Sequence, residues 1–300
     1  MKTEQYLWRF AAAALILNAN QINAQSINSS ADQIDSQQSR FDRVSRERQA
    51  RIEADARLNG QKVKPFTFSI SLPFTYNSNI EYSNIDEIDA FHFAPGAQVS
   101  WKQQFGDVIL KASGRSDTDH YTEFAEDNNN STLSANIGIQ LDSVKLNGLA
   151  PYLKFKPLFA YGNNYSNFAF SWQDYIAGAF IDLGIGKSSN LEIDVNAIFR
   201  RSDSNSLNQN RFNANVTLSG DVSDKISLSL FQNISLRDYI NSSQNRSDIY
   251  INTVFGITYN INLYATIDFN VSFENNNSSI VSNNYNVWDI GPTVNLSWKF

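Results

Sequence analysis

The chain has 300 residues, with 30 acidic against 24 basic side chains and no cysteine. Without cysteine it cannot form a disulfide framework or carry a lipid on an N-terminal cysteine. The net charge of -6 and the lack of a dominant basic stripe argue against a nucleic-acid partner.

The first 25 residues have the layout of a secretory signal peptide. A polar start leads into an apolar run from Phe10 to Leu17, and a polar stretch follows to Ala24. The run is far shorter than the roughly 20 residues that a membrane-spanning helix needs. We therefore expect residues 1–25 to be removed by cleavage near Ala24 or Gln25.

Residues 26–64 form a polar segment of a different kind. Its first part, to about Gln38, is rich in Ser, Asn, Gln and Asp, so we expect it to be disordered. Residues 40–58 are charged and helix-prone, and Asn59-Gly60 is a helix stop. Two placements stay open for this helix. It is either solvated in the periplasm, or an arginine-rich plug that rests in or across the periplasmic mouth of a barrel.

Residues 65–300 contain twelve runs of about ten residues in which apolar and polar side chains alternate. Alternation with a period of two is typical of strands that have one apolar face. The apolar faces begin at Phe66, Phe91, Val108, Leu133, Leu153, Tyr175, Leu191, Phe212, Ile226, Ile251, Leu263 and Ile290. The sequence thus predicts an all-β fold, a transmembrane antiparallel up-and-down β-barrel of about 12 strands, with a short N-terminal helical segment before it.

The connections between these runs fall into two alternating sets. Longer polar segments follow the odd-numbered strands and mostly tight turns follow the even-numbered ones, with residues 143–148 as a longer exception. A soluble barrel or sandwich would also alternate, but its two sets of connections need not differ. Outer-membrane barrels have long loops outside, short turns inside and an even strand count, so we expect both termini in the periplasm.

The last strand carries a resemblance to a known class. Residues 288–300 alternate to the end of the chain, with Trp298 and Phe300 on the apolar face. A C-terminal amphipathic strand that ends in Phe resembles the assembly signal of Gram-negative outer-membrane β-barrel proteins. The resemblance implies an outer-membrane location, contact with outer-membrane lipid and lipopolysaccharide, and recognition by the barrel-assembly machinery.

Four prolines interrupt the runs: Pro73, Pro95, Pro157 and Pro292. Proline lacks the N–H that a ladder needs, and a closed barrel has no free edge to place it on. We expect bulges or rim positions at these four residues.

The polar face of the strands is the place where chemistry could occur. Its charges group by sign along the chain, with positive residues on strands two to five and negative ones on strands six, seven, eleven and twelve. The predicted pore-lining residues are Lys102, Lys111, Arg115, Lys154, Lys156, Asp182, Glu192, Asp194, Asp268 and Asp289. We expect these two groups on opposite walls, where they would orient small hydrophilic solutes. Alternatively, the same charges pair across a narrow interior and seal it.

Two export functions compete with a channel. A helix before twelve strands resembles the translocator unit of autotransporters, although barely forty residues precede the barrel. Tyr76-Asn-Ser-Asn79 is loosely similar to a motif in barrels that accompany the export of exopolysaccharide or surface proteins.

An enzyme is the third class. Outer-membrane hydrolases orient a His with Ser, Asp or Glu, and this chain has two histidines. His92 has Ala94 at the neighbouring inward position, with no acid or Ser there. His120 lies in the segment from Asp117 to Tyr121, which superficially resembles the acidic and His sites of omptins but has the wrong spacing for one face. We expect no catalytic site, no metal and no cofactor.

Overall fold

The structure is a computed structural model that describes residues 31, 34, 64–80, 82, 88–122, 129–141, 148–162, 165–185, 188–240 and 245–300. The predicted signal peptide and the predicted helix at 40–58 lie outside the described residues. Among the described residues, no helix has the length and apolar character to cross a membrane.

The described residues form fourteen β-strands and two short 3-10 turns. The strands are β1 (Phe66–Asn77), β2 (Ala90–Phe93), β3 (Gly96–Phe105), β4 (Val108–Thr118), β5 (His120–Tyr121), β6 (Asn130–Leu141), β7 (Leu149–Gly162), β8 (Phe168–Ile185), β9 (Ser189–Ser202), β10 (Gln209–Asp221), β11 (Ile226–Tyr239), β12 (Ser247–Asn262), β13 (Ala265–Ser278) and β14 (Tyr285–Lys299). The 3-10 turns are Asn205–Leu207 and Val281–Asn283.

These strands close into a barrel of twelve antiparallel staves. β2 and β3 pair with successive parts of β1 and form one stave, and β5 continues β4 as another. Each stave pairs with the next in chain order, and β14 pairs with β1 to close the sheet. The predicted twelve-strand, up-and-down antiparallel barrel is confirmed.

The prolines lie where the ladders are interrupted, as expected. The β1–β14 register passes from Pro73↔Thr293 to Tyr76↔Ile290, leaving the pair opposite Pro292 unmade. Pro95 separates β2 from β3. The β6–β7 register likewise skips the positions around Pro157. Pro157 and Pro292 stay in register with Gln173 and Phe269 on the other side of their strands, so pairing is interrupted on one side only.

The two faces of the barrel wall differ in chemistry. Along β10, Phe212 points outward with 54% of its surface exposed, whereas its neighbours Arg211 and Asn213 are 8% and 9% exposed on the inside. The same alternation recurs along β1, where Ser69 and Ser71 are buried. Apolar side chains therefore cover the exterior, and the interior is polar, the reverse of a soluble domain.

The two ends of the barrel also differ. At one end, here called the short-turn end, adjacent staves are joined by residues 106–107, 142–148, 186–188, 222–225 and 263–264. At the other, the long-loop end, the connections are residues 78–89, 122–129, 163–167, 203–208, 240–246 and 279–284. The two-residue turn between β3 and β4 uses Gly106 at φ +59°, a conformation that glycine adopts without a Cβ penalty. The predicted alternation of connections is confirmed, including the longer exception before β7.

The first and last strands meet at the short-turn end. The backbone N–H of Phe66 donates to the carbonyl of Phe300 at 3.2 Å, and the N–H of Phe300 donates back at 3.1 Å. The two rings stack with centroids 6.0 Å apart, and Phe68 stacks on Trp298 at 5.9 Å. The C-terminal residue is therefore part of the seam that closes the barrel, and the role of Trp298 and Phe300 as an assembly signal stays a prediction.

Candidate pore lumen

All ten charged residues predicted to line the pore lie on the inward face of the wall. Residues directly opposite each other on neighbouring strands point to the same face of the sheet. Each of the ten residues can therefore be assigned to the inner face from the residues opposite it. Arg115, for example, lies opposite Gln98 on one side and Ser134 on the other. Asp289 lies opposite Ser272. Whether a conducting path runs between them stays a prediction.

Four of these residues, here called the mouth charges, lie near the short-turn end: Lys102, Lys111, Asp182 and Glu192. Lys102 is directly opposite Lys111, and Asp182 is directly opposite Glu192. Asp182 is exposed and the other three are half-buried. Nζ of Lys111 donates to Oε1 of Gln140 at 2.7 Å. Like charges directly opposite each other repel, and water or counter-ions weaken that repulsion.

The charges form sectors around the barrel. The basic residues predicted for the lumen lie on β3, β4 and β7, and the acidic ones lie on β8, β9, β13 and β14. Because closure places β14 beside β1, acidic strands border the basic sector on both sides. The predicted opposition of one basic and one acidic wall is therefore wrong. The sector across from the basic one, β10 to β12, carries Arg211 and Arg237 on its inner face.

A tyrosine crosses the inner wall between the basic sector and β9. The hydroxyl of Tyr152 on β7 donates to Oδ1 of Asp194 at 2.8 Å. Its ring passes over Gly178 on the intervening strand, where an added Cβ would lie 2.7 Å from the ring carbon Cζ. Nζ of Lys154 lies 4.0 Å from the centroid of the same ring. Gly178 thus provides the space that lets a Lys–Tyr–Asp series form along the lumen.

The two acidic residues near the seam are buried. The carboxylate of Asp268, 2% exposed, accepts hydrogen bonds from Thr258, Thr266 and the side-chain amide of Asn295. Asp289 is 4% exposed. Burial of a carboxylate is tolerated when donors satisfy it, and Asp268 meets that condition.

A buried ion pair occupies the lumen towards the long-loop end. Arg200 on β9 lies opposite Asp174 on β8, and Nε and Nη2 of the guanidinium donate to the two carboxylate oxygens at 2.7 Å each. The guanidinium carbon lies 3.9 Å above the ring of Trp172. Arg200 and Trp172 are each 1% exposed. This bidentate geometry is the strong form of an arginine–carboxylate pair.

A second ion pair joins Arg246, which immediately precedes β12, to Asp248 on that strand. Nε of Arg246 donates to both oxygens of Asp248 at 3.0 Å, and the guanidinium lies 4.0 Å from the ring of Tyr239. The side-chain amide of Asn276 also donates to Asp248, at 3.1 Å. Both charged side chains are 3% exposed.

A third arginine stacks on tyrosine. The guanidinium of Arg237 lies 3.9 Å from the ring of Tyr250, whose hydroxyl donates to Glu274 at 2.9 Å. Arg237 is directly opposite Arg211, whose Nε donates to Oε1 of Gln209 at 2.7 Å. Together these contacts make up the buried network. Its members are Trp172, Asp174, Arg200, Arg237, Tyr239, Arg246, Asp248, Tyr250 and Glu274.

The buried network is absent from the predicted lining, although the sequence contained the signal for it. Arg200, Arg237 and Glu274 each directly follow an outward residue, namely Phe199, Leu236 and Phe273. Since successive side chains of a strand point to opposite faces, these three residues point inward. Several members are close to loop-like stretches rich in Ser and Asn, so they resemble loop charges.

His92 has polar partners that come from other strands and connections rather than from its own strand. Nδ1 of His92 lies 2.9 Å from the hydroxyl of Thr75, and Nε2 lies 3.3 Å from Oδ1 of Asp119. The imidazole stacks on Tyr121 with centroids 4.8 Å apart. Thr75, His92 and Asp119 are each at most 4% exposed. His120 lies opposite Phe93 on the outer face, away from this cluster.

An apolar pocket interrupts the polar lumen at the long-loop end. Its walls, here called the apolar seat, are Leu158, Ala160, Phe170, Trp172 and Leu207. The rings of Phe170 and Trp172 stack at 5.5 Å. Two helical residues of the N-terminal segment, Ala31 and Ile34, complete this cluster and are 3% and 1% exposed. These two residues therefore contact inward-facing side chains of the barrel wall.

Comparisons with solved structures identify the fold. The chain is similar to an outer-membrane channel from Pseudomonas putida F1, with 10% identity, a TM-score of 0.52 and coverage of 79% of this chain and 96% of that one. It also aligns with the translocator domain of the autotransporter NalP from Neisseria meningitidis, at 12% identity, a TM-score of 0.42 and coverage of 89% and 98%. A third match, outer membrane phospholipase A from Escherichia coli, has 12% identity, a TM-score of 0.46 and coverage of 76% and 89%.

No protein-family model matches the chain, and no curated protein matches it. The fold is that of Gram-negative outer-membrane β-barrels. Fold alone does not select among functions.

Proposed function

We propose that the protein is a porin-like channel of the Gram-negative outer membrane that passes small hydrophilic solutes. The observation that carries this proposal is the arrangement of the mouth charges. Lys102 faces Lys111, and Asp182 faces Glu192, at the short-turn end. Like charges directly opposite each other are tolerated in a solvated entrance, and Asp182 is exposed there.

The exterior supports placement in a membrane. Large apolar side chains are exposed all round the barrel, among them Phe74, Ile137, Leu153 and Phe255. Lipid is the solvent in which such a belt is stable. The long-loop end then faces outside and both ends of the barrel chain face the periplasm. Lipopolysaccharide and the barrel-assembly machinery are the partners that this placement implies.

The charge sectors suggest how solutes are oriented. Along β7 to β9, Lys156 lies directly opposite Asp174, and Lys154 is linked to Asp194 through Tyr152. The field therefore changes sign between neighbouring staves rather than across the full diameter. Such a lining orients dipolar solutes more strongly than solutes without a dipole.

Single-channel recording in planar bilayers tests the proposal. Glu192→Lys should shift the reversal potential in a salt gradient towards anions, because it changes the sign of a charge at the mouth. Asp224→Lys is the matched control, because it makes the same change in net charge. Asp224 is exposed in the turn at residues 222–225, outside the strands that form the lumen. An unchanged reversal potential in a folded Glu192→Lys barrel would contradict the channel. Lys154→Glu reverses the sign of a second charge, inside the lumen, and should shift the reversal potential towards cations.

Export of a polymer is the second candidate, and one observation favours it. Ala31 and Ile34 are buried inside the barrel, so the lumen accommodates a polypeptide. Liposome swelling separates the two functions. Uptake of sugars that falls with their size supports the channel, and no uptake of any sugar supports export or a structural role.

We propose no catalytic role for either histidine. The His92 cluster is buried inside the barrel, away from the lipid-facing surface, and His120 lies on the other face of the wall. Phospholipid and peptide hydrolysis should be absent from the wild-type protein. Hydrolysis that disappears in His92→Ala or His120→Ala would contradict this proposal.

A further inference from the structure

We propose that the lipid-facing side of the barrel wall holds a binding groove for one acyl chain of a membrane lipid. The groove lies over β4, where successive outward positions carry the small residues Ala112, Gly114 and Ser116. A Cβ built on Gly114 would have no neighbour within 4 Å, so the space above this residue is open. The site rests on the placement of the barrel in the outer membrane and is independent of the proposed channel function.

Larger side chains of the neighbouring strands form the two walls of this groove. Phe68 on β1 and Val99 on β3 lie on one side of Gly114, and Leu133 on β6 and Phe159 on β7 lie on the other. Val99, Leu133 and Phe159 are 47%, 41% and 42% exposed, so they project from the wall beside the glycine. The groove encloses about 460 Å³ between mostly apolar surfaces. Sites for small molecules usually have roughly 300–1,000 Å³.

Tyr165 closes the groove towards the long-loop end. Its hydroxyl hydrogen-bonds with Oγ of Ser116 and lies 3.3 and 3.4 Å from the carbonyl oxygens of Asp117 and Thr132. Its backbone has φ +59°, which is uncommon for a residue other than glycine, so these contacts hold it in a conformation that it rarely adopts. Tyrosine is enriched where the hydrocarbon of a membrane meets its head groups. The groove therefore begins on the hydrocarbon side of this boundary and has its polar end there.

An acyl chain is the occupant that fits these features. The groove follows β4, and strands of such barrels tilt by about 35–45° from the membrane normal, so it crosses the leaflet in the general direction of the lipid chains. A chain on the floor gains dispersion contacts that a void would forfeit. The wall of a second barrel would instead rest on the projecting Val99, Leu133 and Phe159 and leave the floor empty. Because the polar end lies at Tyr165, the chain belongs to a lipid of the leaflet at the long-loop end.

Photo-cross-linking in vesicles tests the site, with a phosphatidylethanolamine that carries a diazirine in its acyl chain as the probe. Mass spectrometry of proteolytic fragments should find adducts several-fold more often on the groove residues than on the outward residues of β10 to β12. Ala97 also lines the groove, so Ala97→Phe should fill it and remove this excess. Gly114→Leu fills the same space from the floor. Ala177→Phe is the matched control and should keep the excess, since Ala177 is an exposed outward alanine on β8, outside the groove.

Two results would overturn the acyl-chain site. One is an even distribution of adducts around the wild-type barrel, or an excess at the groove that survives both Ala97→Phe and Gly114→Leu in variants that resist SDS before heating as folded barrels do. The other is a wild-type dimer, seen by native mass spectrometry, that either of these variants converts to a monomer. That result would assign the groove to a second copy of the chain.

Discussion

The two ends of the β8–β9 ladder differ in how their inward charges are paired. Near the long-loop end Asp174 lies opposite Arg200, whereas eight residues further along the same strand Asp182 lies opposite Glu192. Asp174 is 3% exposed, whereas Asp182 is exposed to solvent. A buried carboxylate needs hydrogen-bond donors or a partner of opposite charge, and a solvated one does not. The comparison teaches that the interior along β8 and β9 is packed towards the long-loop end and open to water towards the short-turn end.

The largest expected effect is a difference in the free energy of unfolding between variants of Asp174 and of Asp182. Asp174→Leu should lower the free energy of unfolding by about 3–5 kcal/mol, because it leaves the buried charge of Arg200 uncompensated. Asp182→Leu, on the same face of the same strand, should change it by less than about 1 kcal/mol and in the stabilising direction, because a repulsion with Glu192 is removed. Urea unfolding in lipid vesicles gives both values.

The double variant Asp174→Leu with Arg200→Met serves as the control for this prediction. It removes both charges and should recover most of the stability that the single change loses. Equal losses for Asp174→Leu and Asp182→Leu would mean that the two ends do not differ in burial.

A smaller effect is expected from filling the space under Tyr152. Gly178→Val should cost about 1–3 kcal/mol, because the new side chain displaces the ring and breaks its hydrogen bond to Asp194. Gly184→Val is the matched control on the same strand and face, where an added Cβ has no neighbour within 4 Å. Chemical denaturation measures both, and equal costs would contradict the space-filling role of Gly178.

The smallest effect should appear at the mouth charges. Glu192→Gln should raise the free energy of unfolding by about 0.2–1 kcal/mol at low salt, since Asp182 then faces a neutral side chain. The gain should vanish near 1 M salt, where charges are screened within about 3 Å. Stability measured against salt concentration tests this. A gain that persists at high salt would point to packing rather than charge.

Much of the fold was predictable from local pattern. Each strand's outward residues repeat every second position, so the strand count, the inward placement of Lys154 or Glu192 and the irregular ladder at Pro73 all followed from alternation and the chemistry of proline. The same parity applies to Arg200, which was left out of the predicted lining, but its partner was not predictable. Pairing depends on the stagger between neighbouring strands, which turns and loops determine together.

The His92 cluster shows the limit of reading along one strand. Ala94, the next inward residue on that strand, has no hydrogen-bonding side chain, yet Thr75 and Asp119 reach the imidazole from two other staves. Such partners are separated in sequence by loops of variable length. No spacing rule within a strand can locate them.

The amino-acid sequence by itself determined the class of fold, the twelve staves and the face on which each side chain lies, because a strand's period of two is a property of the backbone. Tertiary structure alone decided which charges are neighbours, since closure places β14 beside β1 and turns the expected opposite walls into sectors. It also decided that Ile34 lies in the apolar seat. That contact joins residues distant in sequence, and the polar residues around Ile34 carry no local pattern that would predict it.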